Sequence, residues 1–318
     1  MESGSAFSPW SRGRDFSRTS QEIGAKFNCP TNDTNDMITC LQGKNAILVE
    51  ETYWDFPDWN YQPFYFAPRI DGDYIPDDPV TLVGEGRYAH VPVMMGVNQH
   101  EGSLISGEMY WMPQLIDSLV QNFSVNGQPS LELYDDEDPL ATATKVYNYY
   151  LGGLNFDYDL ADNVTKLYSD RLFMVPMDWL SQMTSDVDVV YTWELQHKGK
   201  LSILGLYAGL NDSLAERWIC HADELQYLFS SWILGDSDIP EDIIVKDLYT
   251  TMWTNFAKAG NPTPDGSLGF IWEPTNSADL RYLPITANVP LTMETDQRAV
   301  DRAFWESLPL RINNLMRP

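Results

Sequence analysis

The chain has 318 residues and carries 46 acidic against 20 basic side chains, a formal charge of −26. A field of that sign repels phosphate backbones and excludes nucleic acid as a partner; acidic residues spread along the chain read as a solvated surface that would also favour cationic ligands. The 43% hydrophobic and 13% aromatic content belongs to a packed globular chain, and no window approaches the run of roughly 18 apolar residues that a membrane-spanning helix needs.

The N-terminal Met1-Glu2-Ser3-Gly4-Ser5-Ala6-Phe7 lacks the basic-then-apolar order of a signal peptide. Arg14–Phe27 predicts an amphipathic helix with Phe16, Ile23 and Phe27 on one side. It leads into a polar loop bracketed by Cys29 and Cys40. In an oxidising compartment, a bridge closing a loop of about 15 residues would add about 3 kcal/mol. Zinc is not expected, because neither cysteine has a partner at CxxC or HxxxH spacing. A second helix, Met37–Leu41 onward, begins inside that loop. Val91–Val97 and Val187–Trp193 are apolar runs of the length of buried strands. Between them lies a mostly helical stretch that includes Ala141–Leu151 and Ala161–Met183. Leu248–Ala259 reads as a late helix ended by Gly260-Asn261-Pro262. Buried strands separated by long helical insertions indicate an α/β fold with a mostly parallel sheet, and no repeat or interdomain linker interrupts it. Four N-x-S/T sequons, at Asn32, Asn122, Asn163 and Asn211, are glycosylation candidates and with the cysteines favour a secretory-pathway history.

Catalytic groups gather at the carboxyl ends of parallel strands. Glu101 follows the strand ending at Val97, and Gly102 after it permits a tight turn; the same pattern also suits a surface-loop glutamate. Of the four histidines, His90, His100, His197 and His221, only His221 lies between apolar residues and a pair of carboxylates, Asp223 and Glu224. A general base needs a partner that sets its tautomer, although a core histidine would carry the same local sequence. α/β-Hydrolases order their triad serine, acid, histidine, and Glu101 precedes His221 in that order. The serine, expected inside Gly-x-Ser-x-Gly, is absent. Gly266-Ser267-Leu268-Gly269 and Gly235-Asp236-Ser237-Asp238-Ile239 miss the pattern and fall late, in polar turns.

Seven runs in order resemble the C-terminal portion of type-B carboxylesterases, the family of cholinesterases, juvenile hormone esterases and the non-catalytic neuroligins. They are Ser3-Gly4-Ser5-Ala6 with Pro9-Trp10; Cys29 and Cys40; Phe66 through Gly72; Gly96-Val97-Asn98 with Glu101-Gly102; Ser169-Asp170-Arg171 with Phe173 and Pro176; Cys220 through Phe229; and Trp253 through Pro262. The resemblance covers nearly the whole chain, so residues 1–318 read as one partial carboxylesterase domain. It implies an α/β-hydrolase fold whose first strands, oxyanion loop and nucleophile elbow lie upstream of Met1. It implies a Cys29–Cys40 disulfide, Glu101 as the triad acid and His221 as the general acid–base. Phe64 and Phe66 fall where the family builds its acyl-side pocket, and Leu104 and Ile105 where gorge-lining residues are expected; ordinary core packing is the alternative. The histidine is followed by Ala222, where the family often has glycine, and Cys220 is expected to be a buried free thiol.

Three functions follow from the resemblance. The parent protein is a hydrolase of small carboxylic esters, to which this chain brings acid and base and no cofactor. Alternatively it is a non-catalytic, neuroligin-like adhesion protein, or the short chain is itself a binding module. Keeping both Glu101 and His221 favours the first. The parent is expected outside the cell or in the secretory pathway, while the isolated chain is expected to be inactive.

Overall fold

The computed structural model describes residues 1–11, 17–64, 66–134, 136–208, 213–230, 235 and 237–317. The first helix, α1 (Ser17–Lys26), buries Ile23 as its spacing predicts; the predicted Arg14 and Phe16 lie outside the described residues. α2 (Thr34–Gln42) starts earlier than its apolar residues indicate, because the Asp33 carboxylate accepts from the free amides of Asn35 and Asp36. A Cys29–Cys40 disulfide pins this helix to the chain leaving α1.

The first strand, β1 (Val93–Asn98), is followed by α3 (Ser103–Trp111), α4 (Pro139–Leu151) and α5 (Ala161–Ser169). The long helix expected over Ala161–Met183 is interrupted by a single π-helical turn, Asp170–Met174, before α6 (Val175–Thr184). Pro176 has no amide proton to continue an α-helical ladder, and Val175 N–H reaches back five residues to the Asp170 carbonyl. β2 (Val190–Leu195) comes next, three residues later than the apolar run suggests. The predicted late helix is the second half of a 20-residue one, α7 (Pro240–Ala259), closed by Gly260 at φ 65°.

β1, β2 and β3 (Arg281–Ile285) are parallel, and β4 (Glu294–Thr295) adds an antiparallel edge. Pro284 argues against a strand, which hides β3 in the sequence. β4 pairs only with Arg281 and Tyr282, so Pro284 lies where that side of β3 has no strand partner. On the far side of β1, the N-terminal residues pair in parallel with Gly96: Gly96 N–H donates to the Met1 carbonyl and Ser3 N–H to the Gly96 carbonyl. The sheet separates two cores. Met95 and Val97 of β1 join the larger one with α3 to α6, while Met94, Trp193 and Leu195 join the other under α7. Gly96 pairs with Trp193. A Cβ there would come within 2.1 Å of the indole, so only glycine lets this ring lie across the strand. Among the described residues no helix is long and apolar enough to cross a membrane.

Candidate active site

The turn after β1 places Glu101 at the strand's carboxyl end, where it is fully buried. Its Oε1 accepts from the Asn98 amide (2.7 Å) and the Ser3 hydroxyl (2.5 Å). Its Oε2 accepts from His221 Nδ1 at 2.7 Å. A carboxylate offers only acceptors, so the Nδ1 proton is set by Glu101 and Nε2 is left as the basic nitrogen. Ser3 was legible only as part of a motif; its role depends on the N-terminal residues pairing beside β1.

Two further contacts hold the histidine loop against the acid turn. His100 N–H donates to the Ile219 carbonyl, and Ile219 N–H donates back to His100 Nδ1, each at 3.1 Å. Burial depresses the His100 pKa to about 4, which keeps this nitrogen an acceptor. The second contact runs from Asn98 Nδ2 to the Cys220 carbonyl (2.8 Å) and to Glu224 Oε2 (2.5 Å). From the other side, Asp223 accepts from Cys220 N–H (2.9 Å), Ser202 Oγ (2.8 Å) and Ile203 N–H (2.7 Å). Ala222 sits at φ 70°, a left-handed conformation costing an L-residue roughly 1–2 kcal/mol. That is the physical content of the missing glycine.

Burial opposes protonation of His221, but the Glu101 hydrogen bond and charge, with the charges of Glu224 and Asp223, outweigh it and raise its pKa. Glu224 is pushed up to about 7, first by burial and then by the charge of Glu101. Burial likewise raises Asp223 to about 6. For Glu224 the folded pKa lies above the ordinary 4.5. Its contribution to stability is therefore whole below pH 4.5 and is lost as pH rises through about 7. His221, with its raised pKa, acts in the same sense. The protein is expected to melt at lower temperature at pH 8 than at pH 5, and Glu224→Gln to narrow that gap. Thermal scans at the two pH values check this; an undiminished gap in the variant would refute the assignment.

A cavity of about 500 Å³ adjoins the pair and has His221 in its wall. Phe64, Phe66, Leu104 and Ile105 all line it. Ile105 is at the same time a core residue, and the two phenylalanines stand at the exposed rim. Trp10, Ala67, Pro68, Leu172 and Phe173 extend the apolar wall. Phe173, carried by the π-helical turn, packs on the imidazole at a 5.0 Å centroid distance, and Trp10 holds that turn by donating Nε1–H to the Leu172 carbonyl (2.8 Å). Periodicity assigned Phe173 to a helix; the π turn is what carries it to the imidazole.

The other candidates lie apart. His90 bonds to Asp188 and His197 to Asp242. Ser237 donates its hydroxyl to Asp242, and Ser267 sits in an exposed turn bound to Asp265. Cys220 is buried and free, its thiol held protonated because burial raises its pKa. Asn32 and Asn122 are exposed. Asn163 donates its Nδ2 to the Tyr150 carbonyl, and Asn211 lies outside the described residues. Among the described residues, no three His, Cys, Asp or Glu side chains are grouped to hold a metal ion.

A parallel sheet with an acid at a strand end and a histidine from a later loop defines the α/β-hydrolase class. A profile of the carboxylesterase family matches residues 1–305, and the chain belongs to that family. It is similar to venom carboxylesterase-6 of Apis mellifera, 27% identical across 98% of this chain and 57% of the relative. A carboxylic ester hydrolase of Bombus ignitus is 26% identical over the same shares. Neuroligin-3 of Homo sapiens is 27% identical over 99% of this chain and 38% of its own length. The chain thus spans about half the length of the curated relatives it matches.

Proposed function

We propose that this chain supplies the acid, the base and an apolar substrate wall of a carboxylic ester hydrolase, whose serine and oxyanion donors come from a segment outside these 318 residues. The observation that carries this reading is the buried Glu101 bonded at 2.7 Å to a histidine that lines an apolar cavity. His221 Nε2 takes the serine proton as the hydroxyl oxygen attacks the ester carbonyl. The imidazolium, stabilised by Glu101, returns that proton to the departing alcohol. Water then attacks the acyl-enzyme with His221 again as base, which frees the acid and restores the serine. Without the serine the 318-residue chain alone has no acyl-enzyme route and is inactive.

The disulfide, the exposed sequons Asn32 and Asn122, and a relative named for venom support a secretory-pathway or extracellular setting. Neuroligin-3, matched at an identity equal to that of the venom esterase, supports the second reading, a non-catalytic adhesion protein. The test is to extend the reading frame upstream and assay a short-chain aryl ester. An in-frame Gly-x-Ser-x-Gly and hydrolysis abolished by His221→Ala are expected; a replaced serine and no turnover would favour adhesion. Turnover by the 318 residues alone, lost in His221→Ala, would overturn the external nucleophile.

A further inference from the structure

The bond from His221 Nδ1 to Glu101 fixes one end of the imidazole but not its plane. A ring held at Nδ1 alone can still turn about that bond, which carries Nε2 along an arc. A base tolerates little of this, because a misplacement of about 1 Å can cost about 10²-fold in rate.

The element that faces the ring is the π turn Asp170–Met174. An inserted residue widens the helix there, so the Val175 N–H passes over the Arg171 carbonyl to reach that of Asp170. Three successive residues of the turn are tied to other parts of the chain. The Asp170 carboxylate accepts from the Tyr150 hydroxyl and from Lys166 Nζ, each at 2.7 Å. Arg171 donates to the Leu131 and Glu132 carbonyls at 2.7 and 2.9 Å. The Leu172 carbonyl accepts from Trp10 Nε1–H at 2.8 Å. The fourth residue, Phe173, is buried and meets the imidazole at a centroid distance of 5.0 Å and an interplanar angle of 36°. Immediately before the turn, Ser169 Oγ accepts from Gly102 N–H at 2.8 Å, next to the acid. One short segment thus touches both sides of the Glu101–His221 bond.

We propose that Phe173 is a positioning residue: its flat face, set by the tied π turn, fixes the plane of the His221 ring and with it the direction of Nε2. The assignment rests on reading His221 as the general base. Phe173 acts through the imidazole and needs no contact with the ester, so the effect can be measured without turnover. A flat face against a flat ring opposes rotation, whereas a branched aliphatic chain of similar bulk fills the space without setting a plane.

Phe173→Leu removes the flat face and keeps most of the bulk. The readout is the rate at which the His221 Nδ1 proton exchanges with solvent, followed by nitrogen-15 NMR in the 318-residue protein. That rate is expected to rise about tenfold, the upper end of what one aromatic pair contributes. Trp10→Phe removes the bond to Leu172 and leaves Phe173 in place; it is expected to move the rate in the same direction by a smaller factor. Phe156→Leu is the control, since Phe156 belongs to the same apolar core but packs on Tyr147. A ring steadied merely by a well-filled core would be loosened as much by the control. In the protein extended upstream, Phe173→Leu is expected to lower kcat on the order of 10²-fold, by more than it raises KM. Exchange no faster in F173L and W10F than in F156L would overturn the proposal. Faster exchange in a protein whose extended form hydrolyses no ester would keep Phe173 as the residue that sets the ring and remove the hydrolase reading. Hydrolysis undiminished in F173L would do the reverse.

Discussion

Replacing Gly102 by alanine is expected to destabilise the protein by about 3 kcal/mol or more, as overpacking does when the obstructing atoms cannot move. A Cβ at Gly102 would lie 2.2 Å from the Thr165 carbonyl oxygen and 2.4 Å from the Ser169 nitrogen, both backbone atoms of α5. Relief would require α3 to withdraw from α5. That would stretch the Gly102 N–H bond to Ser169 Oγ (2.8 Å) and the Ser106–Thr165 hydroxyl bond (2.6 Å). Glu101 is the preceding residue, so the same displacement would draw the acid away from His221. Gly43→Ala is the control: its φ is −83° and the nearest atom to a new Cβ is 3.4 Å away. Thermal unfolding followed by circular dichroism measures both variants. If G102A melted with the control, the close approach of the two helices would not be what fixes the acid turn.

Glu101→Gln is expected to invert the His221 tautomer and lower its pKa and, on the hydrolase function proposed above, to reduce ester hydrolysis on the order of 10⁴-fold, the loss seen when a triad acid becomes an amide. The direction follows from the donors around the carboxylate. Oε1 receives the Asn98 N–H and the Ser3 hydroxyl, so a glutamine must place its oxygen there. Its NH₂ group then faces His221 Nδ1, which can only accept from it, and the ring proton moves to Nε2. Nε2–H cannot take a proton from serine. With the Glu101 hydrogen bond and charge gone, burial, which lowers the His221 pKa, loses its main opposition. Nitrogen-15 shifts of the imidazole report the tautomer, and a pH titration reports the change in pKa, both in the 318-residue chain. A variant that kept its proton on Nδ1 and titrated like the wild type would refute Glu101 as the orienting acid.

The residues of the pair were readable because their chemistry is tied to local signals. A strand followed by Glu101-Gly102, and a histidine before Asp223-Glu224, are patterns that survive without tertiary information. The same holds for α1, α2, β1, β2 and the end of α7, where apolar spacing and stop residues act over a few positions. Less was readable where a residue's meaning depends on distant backbone. β3 was hidden by Pro284, whose tolerance depends on where β4 stops. The π turn that aims Phe173 at the imidazole looked like uninterrupted helix, since helix period alone does not register one inserted residue.

Composition, charge and spacing by themselves determined an acidic α/β chain with an acid and a histidine in hydrolase order. Whether those two meet was decided by tertiary structure, because 120 residues separate them and no local interaction spans that distance. The sheet brings Met1–Ser3 beside β1 so that Ser3 reaches Glu101. His100 and Asn98 then dock the histidine loop onto the acid turn. The pocket followed the same rule: Phe64, Phe66, Leu104 and Ile105 are ordinary apolar residues in sequence, and they become one wall only when the fold sets the rim segment, the start of α3 and the π turn around His221.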